Sequence, residues 1–262
     1  MSTQDHIYAH FHPDERAFVD RAWEWVLRAA EAHEQRRTDF LDPRQAFILT
    51  TLANRHPDVQ VRLDGGYTGA ERCRAYIAPD YAYISDEEMG ILVLSVSSPD
   101  RKWIELEHGD FLGAVLGLGI KRDKIGDIHV ADDGCHMLVT EDIASYLDVH
   151  FRQVHRVPVL TQLLPVTQLQ PTQVELKPMS FTVASLRLDG IVSDVFRLSR
   201  TKILAPIKAG RCKVNWKVEE NPAAQLKAGD VISLQGFGRF KVLEVEGVTK
   251  KGRTRVTVGI YA

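Results

Sequence analysis

The sequence predicts an α+β protein in three parts: a helical N-terminal region, a central βαββαβ domain and a small basic α/β domain at the C-terminus. Three observations predict it. Apolar residues recur at helical spacing in the first part, and short β-type runs alternate with helical ones from residue 91 to 160. The sign of the charge then reverses beyond the proline-bearing stretch 163–181.

The N-terminal region, residues 1–70, begins with a helix. Pro13 suits a first helical position and Asp14 and Glu15 its first turn, and Phe18, Ala22, Trp25, Val26 and Ala29 follow at helical spacing. A second helix starts at Asp42-Pro43, with Asp as cap and Pro in the first turn, carries Phe47, Ile48 and Leu52 as apolar residues, and closes at His56-Pro57. Val59 to Leu63 alternates like a strand, Gly65-Gly66 turns the chain, and Arg74 to Ala78 is a further short strand.

The central domain, residues 71–165, has the clearest order. Ile91 to Val96 reads as a buried strand and His108 to Leu118 as a helix. Gly126 to Val130 and Cys135 to Thr140 flank the turn Asp132-Asp133-Gly134. Glu141 to Phe151 is helical and Val154 to Leu160 is the last strand. This order is the ferredoxin-like split unit, which many RNA-binding domains share. Pro165, Pro171 and Pro178 mark 163–181 as a linker or extended strand, and the third domain covers 182–262.

Composition narrows the function. The 262 residues are 44% hydrophobic and 26% charged, ordinary for two or three globular domains. No run of 18 apolar residues predicts a membrane span, and Met1 to His12 lacks the basic-then-apolar pattern of a secretory signal. Cys73, Cys135 and Cys212 are far apart, with no C-x-x-C pattern, so a reducing cytosol is expected and no zinc site or cofactor. The overall charge of −2 conceals an asymmetry. From Thr182 onward there are 15 Lys and Arg against 7 Asp and Glu, a net of +8, and the preceding residues carry −10. A separately basic segment suits a polyanionic partner, although a merely solvated surface would look the same.

The basic residues are patterned. Phe196-Arg197-Leu-Ser199-Arg200-Thr-Lys202 places cations on both sides of Ser199, a helix-capping residue. Arg197, Arg200, Lys202 and the free N–H groups of that helix start would all favour phosphate oxygens. Gly210 suits the end of the helix, Lys208 and Arg211 flank it, and Lys213, Asn215, Lys217, Arg239 and Lys241 follow in a β-rich tail. These residues, from Arg197 to Arg239, are the candidate RNA-binding set. Pro206 falls inside the helix, where a kink is expected.

The segment resembles the S-four RNA-binding domain, also called the alpha-L RNA-binding motif, whose R-x-S-R-x-K, helix and G-R-x-x-V-N pattern is met from Arg197 to Asn215. The resemblance implies two helices packed on a small bent sheet. Further stretches resemble the bacterial YlmH family along nearly the whole chain: Tyr8-Ala-His10-Phe11, Glu15-Arg-Ala-Phe18-Val-Asp20, Thr38-Asp-Phe-Leu-Asp-Pro-Arg44, Asp110 to Gly119 and Gly126-Asp127-Ile128. Gly109 departs from that pattern, which has Arg there. The family implies a cytosolic, ribosome-associated factor that contacts structured rRNA or tRNA on the large subunit. It also implies a role in ribosome-associated quality control and a less direct link to cell division.

Other readings compete with this one. Gly113, Gly117 and Gly119 fit neither a P-loop nor a dinucleotide fingerprint, and close helix packing is expected of them. His6, His10 and His12 have no partners that would complete a metal site, and Asp132 and Asp133 are explained by turn chemistry. Trp216 could stack on a base or fill the core of a small domain, with core preferred. Phe237 and Phe240 beside two glycines suggest a tight turn presenting Arg239. An RNA-modifying enzyme is the alternative function, because such C-terminal domains also accompany pseudouridine synthases. Arg187-Leu-Asp189 resembles a synthase triplet but lies where the domain resemblance makes it structural, and residues 1–181 carry no catalytic signature. A protein-only division scaffold would leave the +8 segment unexplained.

Overall fold

The computed structural model describes residues 8, 11–85, 89–98, 106–132, 134–172, 176–248 and 252–261, in two compact units, 1–172 and 173–262. His6, His10 and Asp133 of the sequence reading lie outside the described residues.

The first unit opens with a turn, Pro13–Glu15, that His12 caps. The Glu15 carboxylate accepts the His12 N–H at 2.9 Å, so His12 is a capping residue. Helix α1 (Arg16–Ala32) buries Phe18, Val19, Ala22, Val26 and Ala29 along one face. Strand β1 (Arg36–Leu41) leads to α2 (Pro43–Ala53), where Asp42 Oδ1 accepts the Gln45 N–H at 2.8 Å and the Gln45 side chain accepts the Asp42 N–H at 3.0 Å. Phe47 departs from the expected apolar face. It is exposed, and the Arg44 guanidinium lies 5.3 Å from its ring.

Strands β2 (Val59–Asp64) and β3 (Cys73–Pro79) complete an antiparallel sheet of order β1-β3-β2. The N-terminal region is therefore not only helical. Its central strand also runs past residue 71, the expected start of the next domain. β1 escaped the sequence reading because its exposed Arg36 and Arg37 break the apolar alternation.

The central sheet follows with β4 (Ile91–Ser97), α3 (His108–Gly117), β5 (Ile125–Ala131), β6 (Gly134–Thr140) and α4 (Glu141–His150). A two-residue hairpin, β7 (Gln153–Val154) and β8 (Val157–Pro158), precedes β9 (Leu160–Leu164). The order β5-β6-β4-β9 with antiparallel neighbours is the ferredoxin-like arrangement. Leu94, Val96, Met137 and Val139 face Phe111, Val115, Ala144 and Leu147 of the two helices. The last strand lies later than expected. Val154 to Leu160 is mostly the small hairpin, and the strand that pairs with β4 is Leu160–Leu164.

The glycines of α3 also differ from expectation. A Cβ at Gly113, Gly117 or Gly119 would meet nothing within 4 Å, so close packing does not explain them. Gly119, at φ +81, turns the chain after the helix. Gly109 is equally open.

Arg74 fastens the two sheets of this unit. Its buried guanidinium donates to the carbonyls of Thr38, Met89 and Gly90 at 2.7–2.8 Å. Burial lowers its pKa to about 10, which leaves it charged at neutral pH.

The second unit has a six-stranded sheet of order β10-β15-β14-β13-β11-β12, with β10 Leu176–Val183, β11 Cys212–Val214, β12 Lys217–Val218, β13 Val231–Leu234, β14 Gly238–Val248 and β15 Thr254–Tyr261. Helices α5 (Leu188–Phe196) and α6 (Arg200–Lys208) pack on one face. Leu188, Ile191, Val195, Ile203 and Ile207 meet Ile232, Leu234, Phe240, Val242 and Val258 there. The sheet begins at Leu176, inside the stretch expected as a linker or extended strand, and Pro178 is accommodated because β10 is an edge strand. α6 runs unbroken across Pro206 and ends two residues later, so no break separates Lys208 from the rest of the helix.

Candidate nucleic-acid interface

The candidate residues form two groups on the second unit. The first lies at the α5–α6 junction. Arg197 ends α5 in the left-handed conformation, φ +53, and Ser199 caps α6 by accepting the Lys202 N–H at 3.4 Å. Ser199 therefore acts on the backbone, between Arg197, Arg200 and Lys202. Arg200 lies against the first turn of α5, where a Cβ on Gly190 would sit 3.4 Å from its Nη2. The nearby Asp189 belongs to Arg187, which contacts both its oxygens at 3.1 and 2.7 Å. Those bonds hold the Asp189 carboxyl below the usual range. Lys208 stands in the last turn of α6 and Arg211 just beyond it.

The second group belongs to the sheet. Lys213, Ser233 and Arg239 are cross-strand neighbours on β11, β13 and β14. The adjacent row, Val214, Ile232 and Phe240, packs under the helices, and side chains alternate along a strand. Lys213 and Arg239 thus share the sheet face opposite α5 and α6 and do not converge with Arg200. Lys241 is on that face too, beside Val231. Arg239 lies 3.9 Å from the centre of the Tyr261 ring. Tyr261 was missed in the sequence, although the alternation of Val256, Val258 and Ile260 against Thr257 and Tyr261 places it on this face. Phe240 is core, and Phe237 is exposed beside Phe196, with ring centres 6.0 Å apart.

Asn215 and Trp216 form the turn between β11 and β12, both left-handed at φ +51 and +63. Asn215 is a turn residue and not a free contact. Its Nδ2 donates to Asp230 Oδ1, and its Oδ1 accepts the Val231 N–H, both at 2.9 Å. Trp216 is half-buried and outside the core of its unit, against the preferred reading. Lys217 flanks it, exposed.

The set is rich in cations without ion pairs. Among the described residues, Arg197, Arg200, Lys202, Lys208, Arg211, Lys213 and Lys217 have no carboxylate within ion-pair distance. In the first unit several cations are paired, such as Arg44 with Glu15 at 2.7 Å and Lys124 with Asp39 and Asp142 at 2.8 and 2.7 Å. Cations left unpaired beside one another repel, and an incoming polyanion relieves that repulsion.

The open face of the central sheet is different in kind. Ile91, Val93 and Leu138 are covered by Phe40, Met89, Tyr67, Tyr76, Val166 and Leu169. A cleft of about 660 Å³ remains, lined by Ser95, Ser97, His129, His136, Gln168 and Gln170 among others, without a lysine, arginine or large aromatic ring. The rings that line this cleft, on the face where bases stack in other domains of this fold, are those of His129 and His136.

Burial raises the Cys73 thiol to about 11, the Cys212 thiol to about 12, and Cys135 higher still, so none is a thiolate at neutral pH. Among the described residues no three His, Cys, Asp or Glu side chains cluster as metal ligands, and no helix is long and apolar enough to cross a membrane.

Comparison with known proteins agrees with the architecture. Residues 14–82 match the family model described as "YlmH, N-terminal", and residues 85–168 match "Putative RNA-binding domain in YlmH". The chain is 37% identical over 251 residues to the ribosome-associated protein quality control protein P2 of Bacillus subtilis (strain 168), covering 96% of this chain and 97% of that protein. The solved structure of cell division protein ylmH from Streptococcus pneumoniae superposes with a TM-score of 0.52 at 25% identity, over 61% of this chain and 96% of that one. On the family models and this relative, the chain belongs to the YlmH family.

Proposed function

We propose that this protein is a cytosolic, ribosome-associated RNA-binding factor that acts by binding rather than catalysis. Its C-terminal unit is read as an S-four-type domain that holds structured rRNA or tRNA. The observation that carries this reading is the run of seven cations from Arg197 to Lys217 without carboxylate partners among the described residues. The Bacillus subtilis relative, a ribosome-associated quality control protein, supports the ribosome as the setting, and the large subunit is the expected site.

Arg197, Arg200 and Lys202 make the primary phosphate contacts, because all three stand at the capped start of a helix. Lys208, Arg211 and Lys217 extend the surface, and Lys213 and Arg239 meet RNA that wraps onto the other sheet face. Sedimentation on a low-salt gradient with stalled ribosomes present tests the setting. The protein is expected with the large subunit or whole ribosome, and its presence wholly at the top of the gradient would contradict the proposal.

A further inference from the structure

We propose that Trp216 is a base-stacking residue that recognises an unpaired nucleotide of the RNA. The inference rests on the reading that the C-terminal unit binds RNA.

Asn215 and Trp216 occupy the two central positions of a two-residue hairpin turn, both with positive φ. Asparagine is at home in the first and glycine in the second. A bulky side chain in the second is a rare and strained choice. Strain of this kind persists where the surroundings over-determine it. Here the turn is held from three directions. The Asn215 N–H donates to the Val231 carbonyl at 2.8 Å, its Oδ1 accepts the Val231 N–H, and its Nδ2 reaches Asp230. Asp230 is itself fixed by the Lys227 N–H at 2.9 Å.

The indole gains little packing from this arrangement. It is half-buried, outside the apolar core of its unit, and contacts no other ring or guanidinium among the described residues. It is instead a rigid, partly open aromatic surface at the edge of the sheet, since β12 is the edge strand. Exposed Lys217 follows it directly on the helix face, and exposed Lys213 stands nearby on the opposite sheet face, neither with a carboxylate partner among the described residues. The nearest acid in sequence, Glu219, is turned to the Asn221 N–H at 2.9 Å.

An aromatic face beside unpaired cations matches the two parts of a nucleotide, a flat base and an anionic backbone. The base must be unpaired, because in a duplex each face is already stacked on a neighbour.

The test uses the full chain with Trp216→Gly and Trp216→Phe, a hairpin RNA with an open loop, and a blunt duplex of the same stem. Affinity, its salt slope and the thermal midpoint are measured for each. Gly is suited to the φ of this position, so Trp216→Gly should keep or raise the midpoint. It should bind the hairpin about 5- to 100-fold more weakly with an unchanged salt slope, since no phosphate contact is lost. Trp216→Phe should fall between, and duplex binding should change little. Parent-like hairpin binding by Trp216→Gly would overturn this inference alone, as would equal loss on hairpin and duplex with a lowered midpoint. A parent chain that binds neither RNA would overturn the RNA reading and this inference with it.

Discussion

Asn215 Nδ2 donates to Asp230 Oδ1 at 2.9 Å, and this contact locks the β11–β12 turn onto the start of β13. Asp230 is 5% exposed, so removing the amide strands a buried carboxylate oxygen. Asn215→Ala should lower stability by about 2 kcal/mol, combining the lost bonds with a strained positive φ. Asn215→Gly, which removes only the bonds, should cost less. Urea unfolding of both variants checks this, and equal stabilities would show that the backbone conformation is free of strain.

Two glycines of the first unit should respond in opposite directions. Gly113 is exposed in the middle of α3 with open space around its Cα, so Gly113→Ala should stabilise by about 1 kcal/mol through helix propensity. A Cβ at Gly126 would lie 2.7 Å from Phe40 Cε1 and 3.0 Å from Leu138 Cβ, both fully buried. Gly126→Ala should therefore destabilise by about 1–3 kcal/mol. Thermal melts of the pair give the two signs directly.

His129 gives a pH dependence. Its Nδ1 accepts the Thr172 N–H at 3.2 Å, and burial holds the imidazole below its ordinary value, with Asp127 working in the opposite direction. The folded chain keeps this side chain neutral where the unfolded chain protonates it. Its contribution is complete above the unfolded value of about 6.5 and is lost as pH falls through the folded value. The midpoint should drop as pH falls below about 6.5, and His129→Gln should flatten that slope. An unchanged slope in the variant would assign the titration to other groups.

Much of this was legible in the sequence where one signal dominates. Asp42-Pro43 and the apolar spacing from Phe18 to Ala29 fixed helices α2 and α1 because caps and periodicity are local. The order from Ile91 to Leu147 gave the central fold for the same reason. What was not legible depends on pairing at a distance. β1 is a strand because β3 accepts it, despite exposed arginines, and β10 was open between linker and extended strand because only its partner β15 settles it as an edge. The candidate cations were nameable, but their division between helix junction and sheet face follows from the register of Lys213, Ser233 and Arg239, which no local pattern carries. The hydrogen bonds of Asn215 and the place of Trp216 outside the core depend on a turn geometry set by Asp230 and Val231, which no local pattern shows.

Arg200 separates binding from folding. Asp189 is held chiefly by Arg187, with the Arg200 charge a smaller contributor, so Arg200→Glu removes no ion pair seen among the described residues. Its thermal midpoint should stay near the parent's while RNA affinity falls roughly tenfold or more, by a similar factor for every RNA tested. A lowered midpoint with a proportionate loss of binding would make Arg200 a structural residue.

RNA affinity of the full chain carrying Arg197→Glu, Arg200→Glu and Lys202→Glu together, measured across a salt series, tests most directly whether these cations hold the RNA. With the thermal midpoint preserved, affinity at low salt should collapse toward nonspecific levels and the salt slope should flatten by up to about three units, one for each phosphate contact removed. Parent-like affinity and salt slope in a folded triple variant would contradict the assignment and place the RNA elsewhere on the protein.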